Sequence, residues 1–175
     1  MAVRIVAREI PCVVVVVTNM DFPNVVYYDI NKRKTILVYA DHKEEMDLKP
    51  IVFFNELITG FGSSYQGRVD AFKKITNAKQ KGAVLISELE PHLYFPLFSE
   101  KKEDCIWLNF KTLYQVHRKN ENNCIVSFFD GCKMDIAVNI RIIKNQMKRC
   151  RQFMEYLQNY PVLLEDWHCR YIGRN

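Results

Sequence analysis

The sequence predicts an α+β fold, mostly β-strands and hairpins, with an internally repeated β-turn-β-α unit and a C-terminal amphipathic helix. Short apolar runs broken by turn residues fill most of the chain. Residues 36–48, ILVYADHKEEMDL, are echoed at 125–136 by IVSFFDGCKMDI. Each copy follows an aromatic strand and a charged turn, VVYYDINKRKT or TLYQVHRKNENN, and leads into a short helical run, IVFFNELI or NIRIIKNQM. Near the C-terminus, Ile140, Ile143, Met147, Cys150, Met154 and Leu157 recur at alternating three and four residues, the period of one helix face.

In chain order, strands are expected at about 3–8, 12–17, 24–30, 35–40 and 46–49, then a short helix at 50–58. The valine run Val13–Val17 is too short to span a membrane, and Glu9 and Asp21 beside it do not suit a signal peptide. After a glycine-rich segment, strands are expected near 69–75, 83–87 and 92–96, followed by the polar turn Ser99–Asp104. Strands at 105–109, 112–118, 124–129 and 132–138 complete the set, with Asp130-Gly131 as a two-residue hairpin turn. Asn139 is a good N-cap for the last helix, and Pro161 marks its stop after about Tyr160.

The glycine-rich segment, GFGSSYQGR at 60–68, holds three of the six glycines. Glycine is favoured where the backbone must bend or approach a ligand. With Ser63, Ser64 and Arg68 it offers N–H groups, hydroxyls and a forked cation, the chemistry of a phosphate grip; a tight solvated turn is the competing reading. Residues 62–69, GSSYQGRV, miss the nucleotide loop GxxxxGK[ST]. Arg68 replaces its lysine, and Val69 cannot hold magnesium.

A length of 175 residues suits one domain, and 49% apolar with 26% charged residues is globular composition. The net charge of +5 is uneven: Arg141, Lys144, Lys148, Arg149 and Arg151 fall between Ile140 and Phe153 with no acid among them. Such a stripe suits an anionic partner, most simply nucleic acid, or a solvated helix face. The apolar stripe beside it suits core packing or a dimer seam. The six cysteines form no CxxC and no zinc spacing, which fits a reduced, cytoplasmic protein. No cofactor or metal is expected, nor is an enzyme. The pair Cys105 and His117 is scattered, and Glu44/Glu45 and Glu88/Glu90 suit solvated turns.

FGSSYQGR (61–68), YFP (94–96) and the block IWLNFKTLYQV…CIVSFFDGCKMDIAVNIRIIKNQM (106–147) resemble the ComK family of bacterial competence transcription factors, over about residues 48–150. The second block, with ILVYADH before it, is also similar to LytTR-type DNA-binding domains. There the Asn of a VN or LN pair, here Asn109, closes a strand that leads into the last hairpin. The resemblance implies a single DNA-binding domain over 1–160 with a LytTR-like β core, and a short tail at 161–175. It implies a sequence-specific activator of DNA-uptake genes that recognises AT-rich promoter boxes in double-stranded DNA. A homodimer or higher homo-oligomer and a protease adaptor are implied as further partners. DNA contact is implied for Ser63, Ser64, Tyr65, Gln66, Gly67 and Arg68, and for Asn139, Arg141 and Lys144 at the strand-to-helix corner. By position alone it extends to the turns with Lys32, Arg33 and Lys34, and with His117, Arg118 and Lys119.

Arg68 leads this set, since a guanidinium can enter a narrow AT-tract minor groove or clasp a phosphate; an ion pair with Asp70 or the sheet competes. Ser63 and Ser64 can instead close the turn, and Tyr65 and Trp107 suit the core. The C-terminus departs from the family. It ends in WHCRYIGRN without a longer charged region, and Phe153-Met154-Glu155-Tyr156, similar to an adaptor motif, continues into Leu157 where proline belongs. The departures count against adaptor control and a full activator role; the alternative reading is a ComK-like interaction module without promoter-specific binding that pairs with partners through the 140–157 helix.

Overall fold

The computed structural model describes residues 21–171, with side chains described through residue 160. The strands expected at 3–8 and 12–17 lie outside the described residues. The first meander is β1 (Val25–Asp29), β2 (Lys34–Val38) and β3 (Lys43–Met46), closed by helix α1 (Pro50–Thr59). Pro50 opens α1, where its missing N–H costs no intrahelical bond. Helix α2 (Tyr65–Thr76) follows, then strands β4 (Val84–Leu85), β5 (Leu93–Pro96) and β6 (Ile106–Asn109). The second meander, β7 (Leu113–Arg118), β8 (Cys124–Phe128) and β9 (Lys133–Ile136), leads into helix α3 (Ile140–Tyr171). One sheet has the order β3-β2-β1-β6-β5-β4 and the other β7-β8-β9, with every pairing antiparallel. The α+β architecture is therefore as the sequence predicts.

The repeat is present as two strand–strand–strand–helix units. Aligning Ile36-Leu37-Val38 with Ile125-Val126-Ser127 makes their neighbours equivalent through the ladders. Val38 pairs with Val25 and Ile36 with Tyr27, as Ser127 pairs with Gln115 and Ile125 with His117. In each unit the following helix covers the face bearing the middle residue. Leu37 clusters with Phe53, Phe54 and Ile58 of α1, and Val126 with Ile143, Cys150 and Phe153 of α3. The units differ at an edge, because β1 continues the sheet through β6 while β7 ends its own.

Several local expectations need correction. The segment expected as a strand at 69–75 is helical, because Tyr65, Val69, Phe72 and Thr76 are buried at helical spacing. The strand expected at 46–49 sits earlier, as β3. The Asp130-Gly131 hairpin has a three-residue loop: Phe128 N donates to Cys132 O at 2.9 Å, enclosing Phe129, Asp130 and Gly131. Gly131 takes φ +89°, the left-handed position such a loop requires. Helix α3 runs on past Pro161 to Tyr171 rather than stopping at Tyr160. A proline inside a helix forfeits one backbone bond and strains the turn before it without necessarily ending it.

The core has two parts. The central cluster joins Val25, Ile36 and Val38 of one sheet to Val126 and Phe128 of the other, with Phe72 of α2 and Ile143 of α3. The second cluster lies across the six-stranded sheet, where Phe54 meets Tyr94 and Trp107 at ring separations of 5.0 and 5.1 Å. Cys105, Cys124 and Cys150 are buried free thiols, and Cys132 is half-buried. No described helix is long and apolar enough to cross a membrane.

Candidate nucleic-acid interface

The glycine-rich segment folds as the start of α2 instead of as an open loop. Ser64 is the N-cap, its Oγ accepting from Gly67 N at 3.1 Å. Tyr65 N donates to Asn55 Oδ1 at 3.1 Å, Ser63 N to Ile58 O at 3.3 Å and Arg68 N to Ser64 O at 3.1 Å. Most of the N–H groups that would cradle a phosphate are therefore already engaged. Gln66 is exposed but donates to Asp70 Oδ1 at 2.8 Å. Tyr65 is buried against Trp107, with ring centroids 6.1 Å apart, and burial pushes its phenol well above the ordinary range. Arg68 grips Glu88 with both terminal nitrogens, its side chain only 15% exposed and its Nε buried without a partner. That guanidinium holds the Glu88 carboxyl below the usual carboxylate range.

The two charged turns are partly neutralised in matching ways. Lys32 pairs with Glu45 at 2.5 Å, and Lys34 lies 3.8 Å from both Glu45 and Asp47. In the second unit Lys119 pairs with Asp135, which is register-equivalent to Glu45. Arg33 stands at the tip of its turn with φ 56°, exposed. Arg118 donates to Asn120 O at 3.3 Å, and His117 points out from the β7–β9 sheet, whereas buried Cys105 immediately precedes β6 of the other sheet. Burial raises that thiol to about 12, so the scattered Cys105 and His117 make no reactive pair.

The strand-to-helix corner is built around Asn139. Its Oδ1 accepts from Arg141 N at 2.9 Å, and its Nδ2 donates to Glu121 O at 2.9 Å, tying the β7–β8 turn to the start of α3. Arg141 and Lys144 are exposed there. One turn at a time along the same side come Lys148 and Arg151, also exposed. None of the four has a carboxylate within ion-pair distance among the described residues. The apolar stripe of α3 faces the core, with Ile143 and Cys150 buried and Ile140, Met147, Met154 and Leu157 packed against them. Core packing therefore prevails over a seam along 140–157.

Beside the ridge lies a groove of about 570 Å³ between α3 and the turn after α2. Asn77, Lys79, Gln80, Asn145 and Arg149 are among its lining residues, and among the described residues no carboxylate is. Gln146, 2% exposed, fixes its floor by donating to Lys81 O at 3.0 Å and Pro96 O at 2.9 Å. Arg149 is oriented by a bond to Gln146 Oε1 at 3.2 Å, while Lys81 turns inward to Leu97 O at 2.9 Å. With 3.6 residues per turn, Arg149, Arg141, Lys148 and Lys144 sweep outward from the groove round the helix. Sequence reasoning found the ridge but missed Asn77 and Lys79. The signal available was the polar run NAKQKG, and it was hidden by the strand expected at 69–75.

The family model described as ComK protein matches residues 16–160. The chain belongs to the ComK family. The match is wider than the motifs alone indicate, since it takes in the first meander as well as the glycine-rich segment. A curated relative is the competence transcription factor of Bacillus subtilis (strain 168), 22% identical over 104 residues. The aligned part is 59% of this chain and 54% of the relative, so the chain spans about half the length of the curated relative it matches. No solved structure matches the chain. In this ComK-family member the FGSSYQGR signature caps and seats a helix, while Arg141, Lys144, Lys148 and Arg151 form an exposed basic ridge on α3.

Proposed function

We propose that this ComK-family chain is a sequence-specific DNA-binding transcription regulator, an activator of competence genes that recognises AT-rich promoter boxes. The observation that carries the reading is the groove, lined by no carboxylate among the described residues, that continues into the basic ridge of α3. Arg141, Lys144, Lys148 and Arg149 would lie along the phosphates of a duplex, with Asn145, Asn77 and Gln80 as donors and acceptors within the groove. Phosphate contacts set register, and amide side chains read base edges or groove shape. Arg33 at the tip of the β1–β2 turn and Arg118 at the end of β7 would add contacts, and two boxes on one promoter suit a homodimer. The name of the curated relative, competence transcription factor, supports the same direction. An adaptor-controlled protein acting in the cytoplasm belongs to this proposal as well.

The test is fluorescence anisotropy with a duplex carrying two spaced A/T boxes, beside a scrambled duplex, over a salt titration. Box-selective binding is expected, with the triple change Arg141→Ala, Lys148→Ala and Arg149→Ala weakening both duplexes. Each lost phosphate contact should reduce the salt slope by about one. Equal, weak binding of both duplexes by the unaltered protein would sink promoter recognition.

A further inference from the structure

We propose that the outer face of the β7–β8–β9 sheet is a stacking platform for unpaired nucleic-acid bases, a single-strand site distinct from the α3 ridge. It stands whether or not α3 reads a duplex.

The internal repeat isolates this face. In the first unit Val25, Tyr27, Ile36 and Val38 share one side of the sheet and pack into the central cluster. Their register equivalents in the second unit are Gln115, His117, Ile125 and Ser127, and these line an open groove of about 530 Å³. Three apolar or aromatic positions have thus become an amide, an imidazole and a hydroxyl. Another apolar layer would leave those groups buried without partners, so the occupant must be polar.

Two aromatic rings mark one end of the groove. The β7 ladder shifts register between Leu113 and Gln115, and this bulge leaves Leu113 in the core while Tyr114 turns out beside Phe129. The rings lie 5.1 Å apart at 59° and are 61% and 70% exposed, the most exposed aromatics among the described residues. Lys133 lines the same groove, and no carboxylate does among the described residues. The nearest acid in register, Asp135, is held by Lys119. Open ring faces, a free cation and neutral donors without an acid match a chain that alternates flat bases with negative charges. A duplex hides its base faces in the stack, so the matching form is single-stranded.

The experiment measures the anisotropy of a short labelled oligothymidylate against an abasic strand of equal length. Unaltered protein should prefer the thymidylate. Tyr114→Ala and Phe129→Ala should each weaken it roughly tenfold or more, while Tyr114→Trp should retain it. Arg141→Ala with Lys148→Ala should leave the preference for bases over abasic sugar intact. Both rings are exposed, so circular dichroism and the unfolding midpoint should stay at their unaltered values. Equal affinity for the two strands, or alanine variants that bind as the unaltered protein does, would overturn the proposal. Displacement of the thymidylate by poly-glutamate of matched charge would also overturn it, assigning the face to an acidic protein.

Discussion

Arg68 holds Glu88 with both terminal nitrogens, so its guanidinium reaches a phosphate only if that pair opens. Arg68→Ala should therefore cost stability, about 1 kcal/mol for a bidentate pair at a partly covered site, and leave duplex affinity within about twofold. A large affinity loss at unchanged stability would return Arg68 to the interface. His92 makes a sharper residue-scale case. It is buried, stacked on Phe22 at 4.0 Å, and bounded by two donors: Asn109 Nδ2 at 3.0 Å from Nδ1 and Lys111 Nζ at 3.3 Å from Nε2. Glu90, at 3.9 Å from Nε2, is the facing acid. Burial first, then the Lys111 charge, lowers the imidazole from 6.5 to about 4. The unfolded chain then binds a proton that the folded chain refuses, so stability is full above about 6.5 and falls as pH drops towards 4. Unfolding midpoints in urea across that window should show the decline, and His92→Gln should flatten it. An unchanged slope in the variant would place the proton uptake elsewhere.

At the scale of elements, what could be read from the sequence depended on whether the local pattern and the tertiary partner agreed. The meanders were legible because Ile36-Leu37-Val38 and Ile125-Val126-Ser127 are short runs between turn-forming residues, and pairing preserved them. The start of α3 was legible from Asn139 and the apolar period after it. Its end was not, because Pro161 is a strong local signal that the longer helix overrode. Helix α2 was illegible for a related reason. Three glycines suggest a loop, yet the only glycine inside the helix is Gly67, in its first turn. Its N–H meets the Ser64 hydroxyl, so the segment is a cap in a sequence that reads as a phosphate grip. Ser64→Ala should then destabilise the fold by about 0.5–2 kcal/mol with little change in DNA affinity. Thermal melts beside anisotropy would separate the two roles, and unchanged stability with weakened binding would favour the grip. The groove was missed with α2, since Asn77 and Lys79 join Arg149 only when the helix places its C-terminal turn against α3.

Over the whole molecule, the two units differ in how they are buried more than in how they are built. Each helix caps its own meander, but the central cluster draws on both sheets. Val25, Ile36 and Val38 meet the layer that contains Val126, Phe128 and Ile143, and Phe72 enters it from α2 beside Phe153, with ring centroids 5.1 Å apart. A buried bond from Tyr94 OH to Pro23 O ties the entry to β1 to β5, and the bond from Asn24 Nδ2 to Asp130 Oδ2 at 2.5 Å ties it to the β8–β9 loop. Neither unit then has a complete core of its own, and folding should be cooperative across both. Phe72→Ala tests this, because it removes a fully buried ring from the shared cluster, at a cost of about 3–5 kcal/mol. Native-state hydrogen exchange should show amides of β2 and of β8 losing protection by similar amounts. Phe54→Ala, from the cluster under α1, should cost as much and also lower both if the units unfold as one. Loss confined to β1–β3 in Phe54→Ala, with β7–β9 still protected, would mean that the second unit holds its structure alone.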